Sequence, residues 1–205
     1  MEMITVVGIG PGGTQDYLFN KAQSAIEAAD QIIGSKRQLK LVPINKKKNC
    51  QLLPSKLEDL LILLNDYQDD NLVLLASGDP LTYGIGKWLI QRFPAEKLTI
   101  LPGISSLQYL FNRIDIPMED CFITSSHGRS PDYSIIFNLP KVGIVTDKTI
   151  GPYQLAQESI KYPKHSIFYI GENLSYTDEK IRCYKASDVP DEDYQMNAVV
   201  IINEG

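Results

Sequence analysis

Five apolar residues in a row, Leu72-Val-Leu-Leu-Ala76, stop abruptly at Ser77-Gly-Asp-Pro80. A strand with one wet face alternates apolar and polar side chains. A run that is apolar at every position therefore reads as a strand covered on both faces. Covered strands are the habit of parallel sheets in α/β proteins, so helices are expected around it. The residues through Lys87-Trp-Leu-Ile90 read as such a helix. Open α/β sheets place ligands at the carboxyl ends of their strands. Gly78 lets backbone approach closely, Pro80 stiffens the turn, and Asp79 supplies an acceptor and a negative charge. The alternative is an ordinary strand-to-helix turn with an N-capping Asp79.

The same alternation runs through the chain. Met3-Ile-Thr-Val-Val7 reads as a strand. Residues 17–30 carry Leu18, Ala22, Ala25, Ile26 and Ala29 on one helical face, and Gln31-Ile-Ile33 reads as a strand. A lysine-rich segment (Asn45-Lys-Lys-Lys-Asn49) reads as a solvated loop or as a contact for an anionic ligand, and residues 57–67 as a leucine-rich helix. Leu98-Thr-Ile-Leu101 is the next strand, broken by Pro102-Gly103, with a helix over 107–112. The pattern resets over 112–120, which predicts two α/β domains, 1–113 and 114–205. The second has predicted strands at 121–124, 141–145 and 166–170 and a helix over 153–162. Residues 181–184 and 198–202 are expected to be two strands antiparallel to each other. The fold class is thus α/β, with two α/β domains and mixed sheets. Polar, glycine-containing strand ends in both halves predict an interdomain cleft.

Composition narrows the function. A net charge of −5 lacks the basic excess of a nucleic-acid binder. No apolar run is long enough to span a bilayer, and the N-terminus carries no signal-sequence pattern. Cys50, Cys121 and Cys183 are odd in number and far apart, so free thiols and no protein-bound metal are expected. The expectation is a cytoplasmic protein acting on a small molecule, without nucleic-acid or membrane partners.

Gly8-Ile-Gly-Pro-Gly-Gly13 has the G-x-G-x-x-G spacing of a dinucleotide loop. Such a site wants an acid at the end of the second strand, where this chain has Ile33-Gly-Ser35, and Pro11 lacks an N–H for a pyrophosphate. A glycine-rich turn with no ligand is the other reading. Asp79, Ser105, Ser106, Thr146 and Asn173 offer hydrogen bonds at strand ends. His127, in Ser125-Ser-His-Gly-Arg129, reads either as a surface residue or as a functional one. His165 reads as surface, and no G-x-S-x-G nucleophile elbow is present.

Three of these stretches together resemble a known family. Val6-Val-Gly-Ile-Gly-Pro-Gly12, Ala76-Ser-Gly-Asp-Pro-Leu-Thr-Tyr-Gly-Ile-Gly86 and Leu101-Pro-Gly-Ile-Ser-Ser106 are similar to the tetrapyrrole (precorrin) methylases. Ser126-His-Gly-Arg129, Val145-Thr-Asp147 and Gly171-Glu-Asn-Leu174 resemble the branch that methylates C5 of precorrin-7 or cobalt-precorrin-7 in cobalamin synthesis. The resemblance implies the tetrapyrrole methylase fold, a homodimer and S-adenosyl-L-methionine as methyl donor. It also implies a tetrapyrrole substrate and a separate C15-methyltransferase/decarboxylase as functional partner. By motif match, cofactor contacts are expected at Pro11, Asp79, Thr82, Tyr83, Ser105, Ser106, Thr146, Asn173, Leu174 and Ala198. The loop residues Gly10 and Gly12 are expected near the tetrapyrrole. Two departures stand out: Gly13 where the family commonly has an acid, and Thr82 where it often has an aromatic.

Such a reaction asks for little side-chain chemistry. The C5 carbon of a reduced tetrapyrrole is enamine-like, so the protein mainly has to hold the reacting partners close and in line. The substrate's carboxylates call for cations, for which Lys36, Arg37, Arg129 and Lys148 are candidates, with Lys36 and Lys148 reading equally as surface charges, and His127 is the candidate proton acceptor. The alternatives are a sister methyltransferase acting at another ring carbon, a nicotinamide-dependent oxidoreductase, and a binding module without catalysis.

Overall fold

A computed structural model describes residues 3–12, 14–67 and 69–204. The chain forms two compact units, Met1–Ser105 and Ser106–Gly205, each built on a five-stranded sheet.

The first sheet contains β1 (Ile4–Gly8), β2 (Gln31–Gly34), β3 (Cys50–Leu52), β4 (Leu72–Ala76) and β5 (Leu98–Leu101). Its order is β3-β2-β4-β1-β5, and every pairing is parallel. The apolar run is the central strand β4, buried at all five positions. Helices α1 (Asn20–Ala28), α2 (Leu57–Asp66) and α3 (Gly86–Ile90) account for that burial. On one face Val7, Val73 and Leu75 pack with Ala22 and Ile26 of α1. On the other, Val6, Leu72 and Leu74 pack with Leu60 and Leu64 of α2 and Leu89 of α3. α1 is shorter than the periodic pattern over 17–30. Thr14 caps a separate 3-10 turn, Gln15–Tyr17, by accepting the Asp16 N–H at 3.2 Å. Phe19 then stays extended as the residue before α1.

The lysine-rich segment is not a solvated loop. It forms a 3-10 helix, Ile44–Asn49, in which Lys46 donates to the Ala29 carbonyl at 2.9 Å and Lys47 donates to the Leu39 carbonyl. Two of its three ammonium groups therefore satisfy backbone acceptors.

The second sheet contains β6 (Phe122–Ser125), β7 (Lys141–Val145), β8 (His165–Glu172), β9 (Lys180–Lys185) and β10 (Asn197–Glu204), in the order β6-β7-β10-β8-β9. β6 and β7 are parallel and the other pairs antiparallel, so this sheet is mixed. β9 and β10 do not form the expected antiparallel pair. They flank β8, each antiparallel to it, and so run parallel to each other. Burial explains the order: β10 is fully buried over residues 198–201 and takes the centre, whereas the half-exposed β9 takes the edge. Leu107, Leu110 and Phe111 of α4 (Ser106–Arg113) pack with Ala198 and Val200. On the opposite face, Ile136 of α5 (Tyr133–Ile136) and Leu155 and Ala156 of α6 (Pro152–Ser159) pack with Ile170 and Val199. The division between units thus precedes α4, and the pattern reset over 112–120 lies inside the second unit.

Asn203, 6% exposed, ties the far end of β10 to its surroundings. Its amide donates to the carbonyls of Ile136 at 2.8 Å and Leu139 at 2.6 Å and accepts from Ser166 at 2.6 Å. Asn203→Ala leaves three buried polar groups without partners and is expected to cost about 2–4 kcal/mol, read as a lowered urea midpoint at unchanged m-value.

Candidate functional site

In the first unit, β4, β1 and β5 are neighbours, and the loops leaving their carboxyl ends are knotted together. Gly10 and Gly78 exchange two backbone hydrogen bonds, Gly10 N–H to Gly78 O at 3.2 Å and Gly78 N–H to Gly10 O at 2.7 Å. Both have positive φ, 70° and 63°, which glycine adopts without steric cost. The Asp79 carboxylate closes the knot. One oxygen accepts the N–H groups of Leu81 at 2.9 Å and Thr82 at 3.0 Å, and the Thr82 hydroxyl at 3.2 Å. The other accepts the Gly103 N–H at 3.3 Å, so this one side chain joins the loops after β4 and β5.

The glycines here make room for backbone. A Cβ on Gly8 would lie 2.5 Å from the Gly103 nitrogen and 2.8 Å from Pro80 Cδ. Tyr83, exposed at the tip of the loop, has φ 54°, a left-handed conformation that costs a non-glycine residue about 1 kcal/mol. Arg37 and the buried Gln38 both donate to the Ser77 hydroxyl at 3.0 Å. This sets a guanidinium beside the strand end, while Lys36 is exposed. Pro11 and Gly12 are buried, and Ser105, also buried, closes the unit. A mostly apolar cavity of about 490 Å³ opens between the start of α1 and the end of β5, lined by Phe19, Lys21, Leu101 and Pro102 among others.

In the second unit the strand directions bring the carboxyl ends of β6, β7 and β8 and the amino end of β10 to one edge. Asp147 repeats the device of Asp79. One oxygen accepts the N–H groups of Thr149 at 2.8 Å and Ile150 at 2.9 Å, and the other accepts the Gly128 N–H at 2.8 Å. Asp147 thereby fixes the loop bearing His127, which is exposed, lies within electrostatic range of this carboxylate, and donates its backbone N–H to the Ser125 hydroxyl at 3.1 Å. The Arg129 guanidinium donates to the Ser125 carbonyl at 3.2 Å, and Lys148 is exposed.

Thr146, buried at the end of β7, donates its hydroxyl to the Asn197 side chain. Asn173, with φ 46°, donates its N–H to the Met196 carbonyl at 3.0 Å and its amide to Asp178 at 2.8 Å. Leu174 and Ala198 lie in the hydrophobic core against α4. Ser106 opens α4.

Backbone N–H donation from Ile150 and Gly128 holds the Asp147 carboxyl below the usual carboxylate range. A lowered folded value contributes stability that is present above about pH 4 and lost as pH falls through that lower value. Asp147→Asn is therefore expected to lose less stability than the wild type on acidification from about pH 5 to about pH 2, as urea midpoints report.

The strand-end residues predicted from sequence thus gather at one edge of each sheet. Glu172, Arg182, Gln195 and Asn197 were not predicted. Glu172 had a signal: it shares the alternating buried face of β8 with Ser166, Phe168 and Ile170, where a carboxylate needs a partner.

The glycine loop does not fit a dinucleotide. The Ile9 N–H goes to the Ala76 carbonyl at 2.9 Å and the Gly10 N–H to Gly78, while Pro11 has none. These two donors are consumed within the sheet edge and are not available to a pyrophosphate. Gly13 lies outside the described residues. What the edge does offer is a fixed carboxylate, Asp79, with one oxygen accepting a single long bond from Gly103. That donor set fits a cationic sulfonium better than a phosphate. Among the described residues, no group of three His, Cys, Asp or Glu side chains is placed to hold a metal ion, and no helix is long and apolar enough to cross a membrane.

The model of the tetrapyrrole (corrin/porphyrin) methylases matches residues 3–190. The cobalt-precorrin-7 C(5)-methyltransferase of Salmonella typhimurium is 41% identical over 203 residues, covering 98% of this chain and 100% of that protein. A probable cobalt-precorrin-7 C(5)-methyltransferase of Methanocaldococcus jannaschii is 31% identical over 209 residues, 97% of each chain. Among solved structures, the precorrin-6Y methylase of Archaeoglobus fulgidus superposes with a TM-score of 0.80 at 22% identity, covering 99% of both chains.

Proposed function

The chain belongs to the tetrapyrrole (corrin/porphyrin) methylase family, and from that premise we propose that it methylates C5 of precorrin-7 or cobalt-precorrin-7 in cobalamin synthesis, with S-adenosyl-L-methionine as donor. The observation that carries the reading is the likeness to the Salmonella C5 enzyme along the whole length of both proteins. The consumed N–H donors of the glycine loop, described above, weigh against the nicotinamide-dependent alternative.

S-adenosyl-L-methionine, when bound, supplies an electrophilic methyl group on a sulfonium. In the first unit Asp79, with Pro11, Thr82, Tyr83 and Ser105, is proposed to hold it. The Asp79 carboxylate is fixed by backbone donors and favours positive charge without having to reorganise. In the second unit the proposed contacts are Ser106, Thr146, Asn173, Leu174 and Ala198. Arg37, Lys36 and Arg129 are the proposed partners of the substrate's carboxylates, Arg37 by its place beside Ser77, and Gly10 and Gly12 are proposed to face the ring. The apolar cavity beside Pro102, with Lys21 on its wall, suits an edge of the ring. His127, exposed in the loop that Asp147 fixes through the Gly128 N–H, is the proposed acceptor of the proton released at C5. A homodimer in the cytoplasm, without a resident metal and with a separate C15-methylating, decarboxylating enzyme acting beside it, completes the reading.

Calorimetric titration with S-adenosylhomocysteine and, separately, with NADH tests it. Binding of S-adenosylhomocysteine alone is expected; binding of NADH alone would overturn the proposal.

A further inference from the structure

The end of β8 carries a buried ion pair that the proposed chemistry does not use. Glu172 is 4% exposed, and Arg182 on the neighbouring strand β9 donates to it at 2.6 Å. The same guanidinium reaches Glu192 at 2.6 Å and lies over the rings of Tyr184 and Tyr194, at 5.9 Å and 5.3 Å from their centroids. The second Glu172 oxygen accepts the Gln195 N–H at 2.8 Å. A charge so placed gains little net stability against an apolar substitute, since desolvation offsets much of the Coulomb attraction. What it does supply is fixed geometry for whatever it touches.

Two segments meet at Glu172. The first is the turn that begins at the next residue, joining β8 to β9. It holds Asn173 and Ser175 at φ 46° and 69°, conformations that non-glycine residues keep only when their surroundings enforce them. The far side of that turn is enforced by Glu179, which accepts the Ser175 N–H at 2.6 Å and pairs with Arg113 of α4 at 2.9 Å. The near side is enforced through Glu172. The second segment is residues 195–197, which Glu172 grips at the Gln195 N–H. Met196 of this segment accepts the Asn173 N–H, and Asn197 accepts the Thr146 hydroxyl. One carboxylate therefore sets the backbone on which both Asn173 and Thr146 rest.

We propose that Glu172, held by Arg182, is a positioning residue for cofactor binding, acting through residues 195–197 on Asn173 and Thr146. The inference rests on the reading of those two residues as cofactor contacts. Glu172→Ala frees the Gln195 N–H and leaves Arg182 with the outer, more exposed Glu192 as its carboxylate partner, so the segment loses its anchor. Glu172→Gln keeps the shape and an acceptor for Gln195 but loses the charge.

The test is calorimetric affinity for S-adenosylhomocysteine, measured on folded protein. Glu172→Ala is expected to weaken binding about tenfold or more, as small misplacements of positioned groups do, and Glu172→Gln to recover part of that loss. Asn203→Ala, at the opposite end of β10, destabilises the same sheet without touching the turn and is expected to bind like the wild type. Should Glu172→Ala fail to fold, Glu172→Gln and Arg182→Lys carry the test, each expected to weaken binding by a smaller factor. Wild-type affinity in the Glu172 and Arg182 variants overturns the proposal alone. An equal loss in Asn203→Ala also overturns it, because stability and not position would then be responsible. No binding to the wild type overturns the reading of the site and this proposal with it.

Discussion

Asp79→Ala is expected to destabilise the first unit by about 3 kcal/mol and to weaken S-adenosylhomocysteine binding by about a hundredfold. The stability loss follows from three backbone donors, at Leu81, Thr82 and Gly103, losing a charged acceptor at once. The binding loss follows from the same bonds, because the loops after β4 and β5 are joined through this side chain. Asp79→Asn separates charge from shape. Its single amide oxygen can replace only one of the two acceptor oxygens, so it keeps the turn over Leu81 and Thr82 and releases Gly103. Urea unfolding and calorimetry on the two variants check both numbers. An alanine variant with wild-type stability and affinity would remove Asp79 from the account.

Gly103→Ala should be worse. The new methyl would press on the Gly78 carbonyl oxygen and lie 2.8 Å from the Gly8 carbonyl carbon and 2.9 Å from the Gly10 nitrogen. All three neighbours are backbone, so none yields by changing a rotamer, and the knot must open. An overpacked site of this kind is expected to cost about 3 kcal/mol or more and to abolish cofactor binding. Gly128→Ala is the contrast. Gly128 has φ 67° but nothing within 4 Å of an added Cβ, so only the conformational cost applies, about 1 kcal/mol. Thermal unfolding of the two proteins side by side checks the difference. Equal losses would mean that backbone conformation, not close approach, explains the glycines of these loops.

How far the sequence could be read depends on how local the deciding contacts are. The run in β4 declared itself, because burial on both faces leaves no polar position in five residues. The strand ends were legible for the same reason, since glycine, proline and small polar residues follow each apolar run. Pro11 and the missing acid already spoke against a dinucleotide at the Gly8–Gly13 spacing, but the fate of its N–H groups was not legible. Whether its N–H groups are available depends on Ala76 and Gly78, nearly seventy residues away along the chain. The order of the last strands was hidden likewise: β9 and β10 each pair with β8, and a strand's own pattern names no partner. Motif matching brought Leu174 and Ala198 to the site as positions in the chain, whereas their side chains belong to the core under α4. Lys46 and Lys47 look solvated by composition, yet they cap carbonyls at Ala29 and Leu39, which composition does not foretell.

The proposal on which the rest depends is methylation at C5 of precorrin-7 or its cobalt form. A single turnover with S-adenosylmethionine carrying a 13C-labelled methyl group, with precorrin-7 and its cobalt form as substrates, tests it most directly. Carbon NMR of the product gives the position of the label. One labelled methyl group bonded to C5 is expected with at least one of the two substrates. Label at any other ring carbon, or none with either substrate, would contradict it.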